Sequence, residues 1–196
     1  LSLAEGLKCL DGSICSECKK KMSPLFTDYK NTPIEKIKAH LVYREENKSR
    51  LKEFVASATY GEYPKVLIDE KHNWFVLSKQ PKLMEENPDV FDFKDVKDFS
   101  FHVEQSKREL HFTNKKGRTC SYKPARYEFL YQAKFNISMN HPFIHDISIR
   151  MTQNDVKIIS EMADKEKNEQ TNENYQKMLE SAESLRQVFE AHVKEE

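Results

Sequence analysis

From Tyr127 to Met139 the chain alternates between apolar and polar positions: Phe129, Tyr131, Ala133, Phe135, Ile137 and Met139 share one face, with Lys134, Asn136 and Ser138 opposite. A helix repeats its faces about every 3.6 residues, so a two-residue period of this length predicts a strand with one face in a core. The strand is long enough to bend across two sheets. Shorter stretches repeat the pattern. Val66 and Ile68 alternate, and Trp74-Phe75-Val76-Leu77 follows the hairpin turn Asp69-Glu70-Lys71-His72-Asn73. Phe99, Phe101 and Val103 alternate, as do Leu110 and Phe112, with Lys115-Lys116-Gly117 as the next turn. Ile147, Ile149 and Met151 follow the turn Asn140-His141-Pro142. Residues 79–97 read as irregular, anchored by Val90, Phe91 and Phe93. The short connections make these roughly seven strands antiparallel.

The N-terminal segment reads differently. An Asp11-Gly12 turn leads into Cys15-x-x-Cys18, and Lys19-Lys20-Lys21 continues a short helix that ends near Ser23-Pro24. A structural zinc ribbon needs four ligands, and this pair supplies two. The chain opens at Leu1 without an initiator Met, which leads us to expect the first ligands upstream. Of four cysteines, Cys9, Cys15 and Cys18 crowd into one segment, whereas a secreted disulfide scaffold would spread them through the chain. Metal ligation in a reducing, cytoplasmic compartment fits that distribution better, with a redox pair, a disulfide and inert thiols as alternatives. Cys120 reads as a strand thiol.

Helical signals flank the strands. Thr32-Pro33-Ile34-Glu35 has the form of a capping box with Pro at the first helical position. A helix over about 33–57 follows, carrying Ile34, Ile37, Leu41, Leu51 and Val55 on one stripe. Its middle, Arg44 to Arg50, is polar all round and is expected in solvent, with Glu46 and Arg50 as an ion pair. Residues 160–174 are almost wholly polar, a linker or a solvated helix. Then Tyr175, Met178, Ala182, Leu185, Phe189 and His192 recur at spacings of three and four, a narrow apolar seam. Such a helix either caps the open end of a small barrel or pairs with another subunit.

Lys+Arg and Asp+Glu both number 32, and the resulting zero net charge weighs against a general nucleic-acid binder. The aromatic interleaving of a single-strand binder is missing beside Cys18. No window approaches a transmembrane span. There is no Gly-rich phosphate loop, nucleophile elbow or His-Glu-x-x-His, and Asp69 and Glu70 read as solvated residues on a hairpin shoulder. Pro142 within His141-x-x-x-His145 removes the shared helix face that would make the two histidines converge on a metal. The chain therefore reads as a binding protein and not an enzyme. Lys107-Arg108 and Lys115-Lys116 with Arg118 form a basic rim that reads first as a solvated loop, with an anionic ligand or a membrane surface as the functional alternative.

Seven antiparallel strands followed by an amphipathic helix resemble a pleckstrin-homology-like barrel. The chain is also similar to a bacterial family known as a domain of unknown function. The residues that carry this similarity are Leu10-Asp11-Gly12-Ser13-Ile14-Cys15-Ser16-Glu17-Cys18, Lys21-Met22-Ser23-Pro24, Tyr43-Arg44-Glu45-Glu46-Asn47, Lys65-Val66-Leu67-Ile68-Asp69-Glu70, Asn87-Pro88-Asp89-Val90-Phe91-Asp92-Phe93 and Tyr122-Lys123-Pro124-Ala125-Arg126-Tyr127-Glu128. It runs from Leu10 to Met151. The resemblance implies a Cys-x-x-Cys…Cys-x-x-Cys zinc ribbon with Cys15 and Cys18 as its second ligand pair, and it assigns no zinc to Cys9. The expected class is α+β: a half zinc ribbon over 1–30, a connecting helix over 31–60, a seven-stranded antiparallel barrel over 61–153, and a charged linker with a capping helix over 154–196. The expected function is an adaptor with structural zinc. It would bind a protein partner or itself through the sheet edge or through Tyr175, Met178, Leu185 and Phe189, or an anionic surface through Lys107, Arg108, Lys115, Lys116 and Arg118. Nucleic acid through the ribbon is the third reading and the least favoured.

Overall fold

The computed structural model describes residues 7–193, which divide into two compact units. The first comprises residues up to 59, 66–98 and 138–147. It opens with β1 (Leu7–Lys8) and β2 (Ser13–Ile14), an antiparallel ribbon, and α1 (Ser16–Lys21). Helix α2 (Ile34–Glu53) follows, then β3 (Ala58–Tyr60), β4 (Lys65–Asp69), β5 (Trp74–Ser78), α3 (Leu83–Glu86) and β6 (Val90–Asp92). These four strands form one sheet in the order β3-β4-β5-β6. The β4–β5 turn closes at Asn73 with φ 57°, a left-handed conformation that Asn tolerates better than most residues. Phe75 lies opposite Phe91 in the β5–β6 register, and Phe93 completes the aromatic trio, so the three expected anchors Val90, Phe91 and Phe93 are all buried.

Helix α2 departs from expectation in two places. Its start is not a capping box: the Thr32 hydroxyl donates to the Asp28 carbonyl, and the Asp11 carboxylate accepts from the Ile34 N–H at 2.7 Å. A side chain from the β1–β2 turn thus caps the helix. The middle of the helix is not solvated either. Ile37, His40, Arg44, Asn47 and Leu51 are all buried, while Val55 is 66% exposed and Phe54 takes its place in the core. Arg50 does not pair with Glu46. It donates to the Val90 carbonyl and the Asp92 carboxylate and lies over the Trp74 ring. Asp69 is also buried, accepting from the Val55 and His72 N–H groups and from the His72 ring. Burial raises its carboxyl, and the His72 and Val55 bonds outweigh that and hold it below the usual range.

The second unit comprises residues 60–65, 99–137 and 148 onward. It holds most of β7 (Val96–Glu109), β10 (Arg126–Met139) and β11 (Asp146–Arg150), and all of β8 (His111–Thr113), β9 (Thr119–Ser121), β12 (Val156–Glu161), α4 (Lys165–Thr171) and α5 (Glu173–His192). The long strand expected at 127–139 is β10, and all six of its apolar positions are buried. It pairs with β7, β11 and β12, the last antiparallel from Arg126↔Glu161 to Tyr131↔Val156. Residues 154–161, read as linker, are thus partly a strand. The Val156–Ile158 alternation is too short to stand out beside the charged residues around it. The side-chain pairs Arg108–Glu128, Glu104–Lys134 and His102–Asn136 run in opposite chain directions, so β7 and β10 are antiparallel too.

Helix α5 begins where the Asn172 side chain accepts from the Tyr175 N–H, an N-cap. Its seam packs inside the unit. Phe189 sits 5.0 Å from Phe135 and 5.4 Å from Phe99 between ring centroids, Tyr175 meets Tyr131 edge-on, and the Ala133 N–H points at the Met178 sulfur. The chain is mixed α and β with several antiparallel sheets, and among the described residues these do not close into a barrel. A barrel needs one continuous ladder. Here β6 ends in a 3₁₀ turn at Phe93–Asp95, and the ladder of the first sheet stops there.

Candidate functional site

Three constellations concentrate the polar chemistry. The first is the cysteine turn. Cys15 caps α1, and its Sγ accepts from the Cys18 N–H at 3.2 Å. Hydrogen bonding from the Cys18 side chain and backbone lowers the Cys15 thiol below its usual range, and the bond to Cys15 raises Cys18. One sulfur is therefore held toward thiolate, the form that ligates metal. Cys9 is buried instead with Ile14, Met22, Phe26 and Ile37, as a core residue. Among the described residues no three His, Cys, Asp or Glu side chains converge as a metal site. Cys15 and Cys18 fit two corners of a tetrahedral thiolate site and supply no more than that.

The second is a buried polar network within the first unit, of which the sequence reading placed Arg44 and Asn47 in solvent. Arg44 donates to Asp89 at 2.7 Å, with 5% and 1% of the two side chains exposed. The guanidinium also donates to the Asn87 and Lys21 carbonyls, and the Ser23 hydroxyl donates to the other Asp89 oxygen. Asn47 donates to the Pro88 carbonyl and accepts from the Val90 N–H. Nε2 of His40 accepts from the Ser23 N–H at 3.0 Å, which places the ring proton on Nδ1. His40 Nδ1 and the Tyr43 hydroxyl have no hydrogen-bond partner, although the Tyr43 hydroxyl lies near Asp89. Burial drives His40 down to about 4, lowers His141, and raises Tyr43. Both carboxylate oxygens are occupied and the guanidinium is divided among carbonyls, so the network ties the end of α1 and residues 87–90 to α2. It offers no open face for a reactant.

This arrangement has a pH signature. In the unfolded chain His40 binds a proton near 6.5 and in the folded chain only near 4, so below about 6.5 the unfolded state holds more protons. Stability therefore rises with pH across this window and falls as pH drops from 6.5 towards 4, by an amount on the order of 3 kcal/mol. Protonation also places an N–H against the Ser23 donor. Urea midpoints measured from pH 7 to 4.5 should decline, and the decline should be shallower in His40→Asn. A flat wild-type profile would contradict a neutral buried His40.

The third constellation is the β8–β9 hairpin in the second unit. It continues outward from β7 and β10, joined by the Leu110 N–H to the Arg126 carbonyl at 2.8 Å. Its turn is built for exposure. Asn114 accepts from the Lys116 and Arg118 N–H groups, and Gly117 adopts φ 72° with open space around it. Residues 107–126 hold seven cations, Lys107, Arg108, Lys115, Lys116, Arg118, Lys123 and Arg126, against one carboxylate, Glu109, in a chain of zero net charge. Lys115, Lys116, Arg118 and Lys123 are exposed and make no ion pair among the described residues. Arg108 is answered by Glu128, whose carboxyl is held low first by Lys157 and then by Arg108. Lys107 lies 5.0 Å from the Tyr127 ring centroid and Arg126 5.1 Å from that of Tyr122. Phe112, 41% exposed, packs at 5.1 Å against Tyr122.

The structure thus gathers the five expected rim residues on one hairpin and the end of the strand that feeds it. It adds Lys123, Arg126, Phe112 and Tyr122, which the sequence reading named in other contexts and did not assign to the rim. A charge count over a window of about twenty residues would have found the cations. Met178, Leu185 and Phe189 are buried and Tyr175 is half-buried, so the seam's apolar face is occupied by its own unit. His141 accepts from the Phe143 and Ile144 N–H groups as a core residue, and His145 is exposed. An open groove of about 520 Å³ on the second unit, lined by Glu104, Gln132, Lys134, Arg150 and Asp155 among others, has its charges already paired, Lys134 with Glu104 and Arg150 with Asp155.

No helix among the described residues is long and apolar enough to cross a membrane. No curated protein and no solved structure matches the chain. The model of a family described as a domain of unknown function (DUF4428) matches residues 1–40, the segment that carries the cysteine turn and the first third of α2.

Proposed function

We propose that this protein is a non-enzymatic binding module that holds an anionic partner on the basic hairpin of residues 107–126. The observation that carries this reading is charge segregation: residues 107–126 hold seven cations and one carboxylate in a chain with no net charge, and although Arg108 is taken up by Glu128, Lys115, Lys116, Arg118 and Lys123 are exposed without an ion pair among the described residues. A patch of this kind sets up a local positive potential that net charge conceals. In the first unit Arg44 pairs with Asp89 and His72 with Asp69, and His40 and His141 accept from backbone N–H groups, which leaves these groups structural work. A pleckstrin-homology-like architecture is kept as a proposal, supported by antiparallel sheets followed by the amphipathic helix α5. Cys15 and Cys18 would hold a structural zinc ion with two further ligands, fixing the turn that opens α1.

Retention on a heparin matrix tests the reading. The wild-type protein should be retained and elute only with added salt, because each neutralised anionic group releases counterions. The triple variant Lys115→Glu, Lys116→Glu, Arg118→Glu should elute near the void with an unchanged urea midpoint, since all three residues are exposed. The matched variant Lys19→Glu, Lys20→Glu, Lys21→Glu should elute like wild type. Equal retention of the hairpin variant and wild type, or no retention of wild type, would contradict the proposal.

A further inference from the structure

We infer that the anionic partner of the hairpin is a single-stranded nucleic acid, an inference that rests on the anion-binding reading above. Three features of the hairpin favour this over other polyanions. First, its tip, Asn114 to Arg118, contains no apolar side chain, and its turn is fixed by hydrogen bonds from Lys116 and Arg118 to Asn114. A loop that inserts into lipid places aromatic or aliphatic residues at its tip, and here the rings lie on the flank. Second, the flank offers flat surfaces beside the charges. Phe112 lies opposite Cys120 in the β8–β9 register, and Tyr122, two residues beyond Cys120, falls on the same face. The Phe112 and Tyr122 rings pack at 5.1 Å, and the Arg126 guanidinium covers Tyr122. Aromatic faces interleaved with Arg and Lys are what unpaired bases need, stacking for the ring and cations for the phosphate. Third, Phe112 remains 41% exposed although it sits in a strand. A duplex keeps its bases stacked inside, and a run of carboxylates alone offers no ring to Phe112, whereas a single strand presents a base and a phosphate at every nucleotide and so uses both halves of the surface.

The zero net charge that weighed against nucleic acid in the sequence is an average over the chain. Residues 107–126 are the strongly basic part, and the exposed Lys115, Lys116, Arg118 and Lys123 lie on the hairpin and the segment just after it, where a phosphate backbone can track them.

The test uses the full chain and fluorescence anisotropy with labelled oligouridylate and oligothymidylate of about twelve nucleotides. A duplex of the same length, polyglutamate, and vesicles of phosphatidylcholine with phosphatidylserine serve as competitors. Single strands should bind, with affinity falling as salt rises, and should be displaced poorly by all three competitors. Phe112→Ala should lower affinity about tenfold and Phe112→Trp should restore it, both with unchanged urea midpoints. The Lys115→Glu, Lys116→Glu, Arg118→Glu variant should abolish binding. If polyglutamate, duplex or vesicles compete as well as the single strand, and Phe112→Ala binds like wild type, this inference is overturned while the anion-binding reading stands. If none of the polyanions binds at low salt, both fail.

Discussion

Replacing Asp89 with alanine will destabilise the fold by about 3–5 kcal/mol, the largest single-residue effect expected in the first unit. The carboxylate is almost wholly buried and answers the equally buried Arg44. Its removal leaves a guanidinium in the interior with two carbonyls and no counter-charge, and it strips the Ser23 hydroxyl of its acceptor. The cost is that of an uncompensated buried charge, which exceeds the net worth of the pair itself. The double variant Arg44→Met with Asp89→Leu tests this distinction. Removing both charges and keeping the volume should recover most of the loss in a urea titration. A double variant as unstable as Asp89→Ala would show that geometry rather than the stranded charge sets the cost.

In the second unit, Phe189→Ala should cost about 3–5 kcal/mol. Phe189 is fully buried and meets both Phe99 and Phe135, so truncation opens a cavity where β7, β10 and α5 converge. Ile159→Ala, on the exposed side of β12, is the matched control and should change stability by less than about 0.5 kcal/mol. Equal effects of the two substitutions would mean that α5 is not anchored through Phe189.

Strand β10 and helix α5 were legible because their apolar residues repeat with the period of the element that carries them. The buried face of α2 was not, although its signal is present. Ile37, His40, Arg44, Asn47 and Leu51 follow at spacings of three, four, three and four, a continuous stripe whose three central members are polar. Hydrophobicity reads that gap as solvent exposure. The partner that makes burial tolerable, Asp89, lies in a segment whose fold gave no periodic signal. Asp69 failed for the same reason: a carboxylate beside a turn reads as solvated until the Val55 and His72 donors that surround it are known. The basic hairpin was legible as a rim of Lys107, Arg108, Lys115, Lys116 and Arg118. The sequence alone could not place Phe112 and Tyr122 against each other or Arg126 over Tyr122, because those contacts depend on register and rotamer. The missing barrel closure has a similar origin, since alternation predicts strands and leaves the ladder between them unspecified.

The most direct test of the account is where an anion binds. Backbone amide shifts of the full chain, followed by NMR during titration with inorganic polyphosphate, would show this at residue level. The account predicts shifts concentrated on residues 107–127, with the largest at Lys115, Lys116, Arg118 and their neighbours. Shifts concentrated instead on Lys19, Lys20 and Lys21 beside the cysteine turn, or spread evenly over the chain's cations, would contradict it.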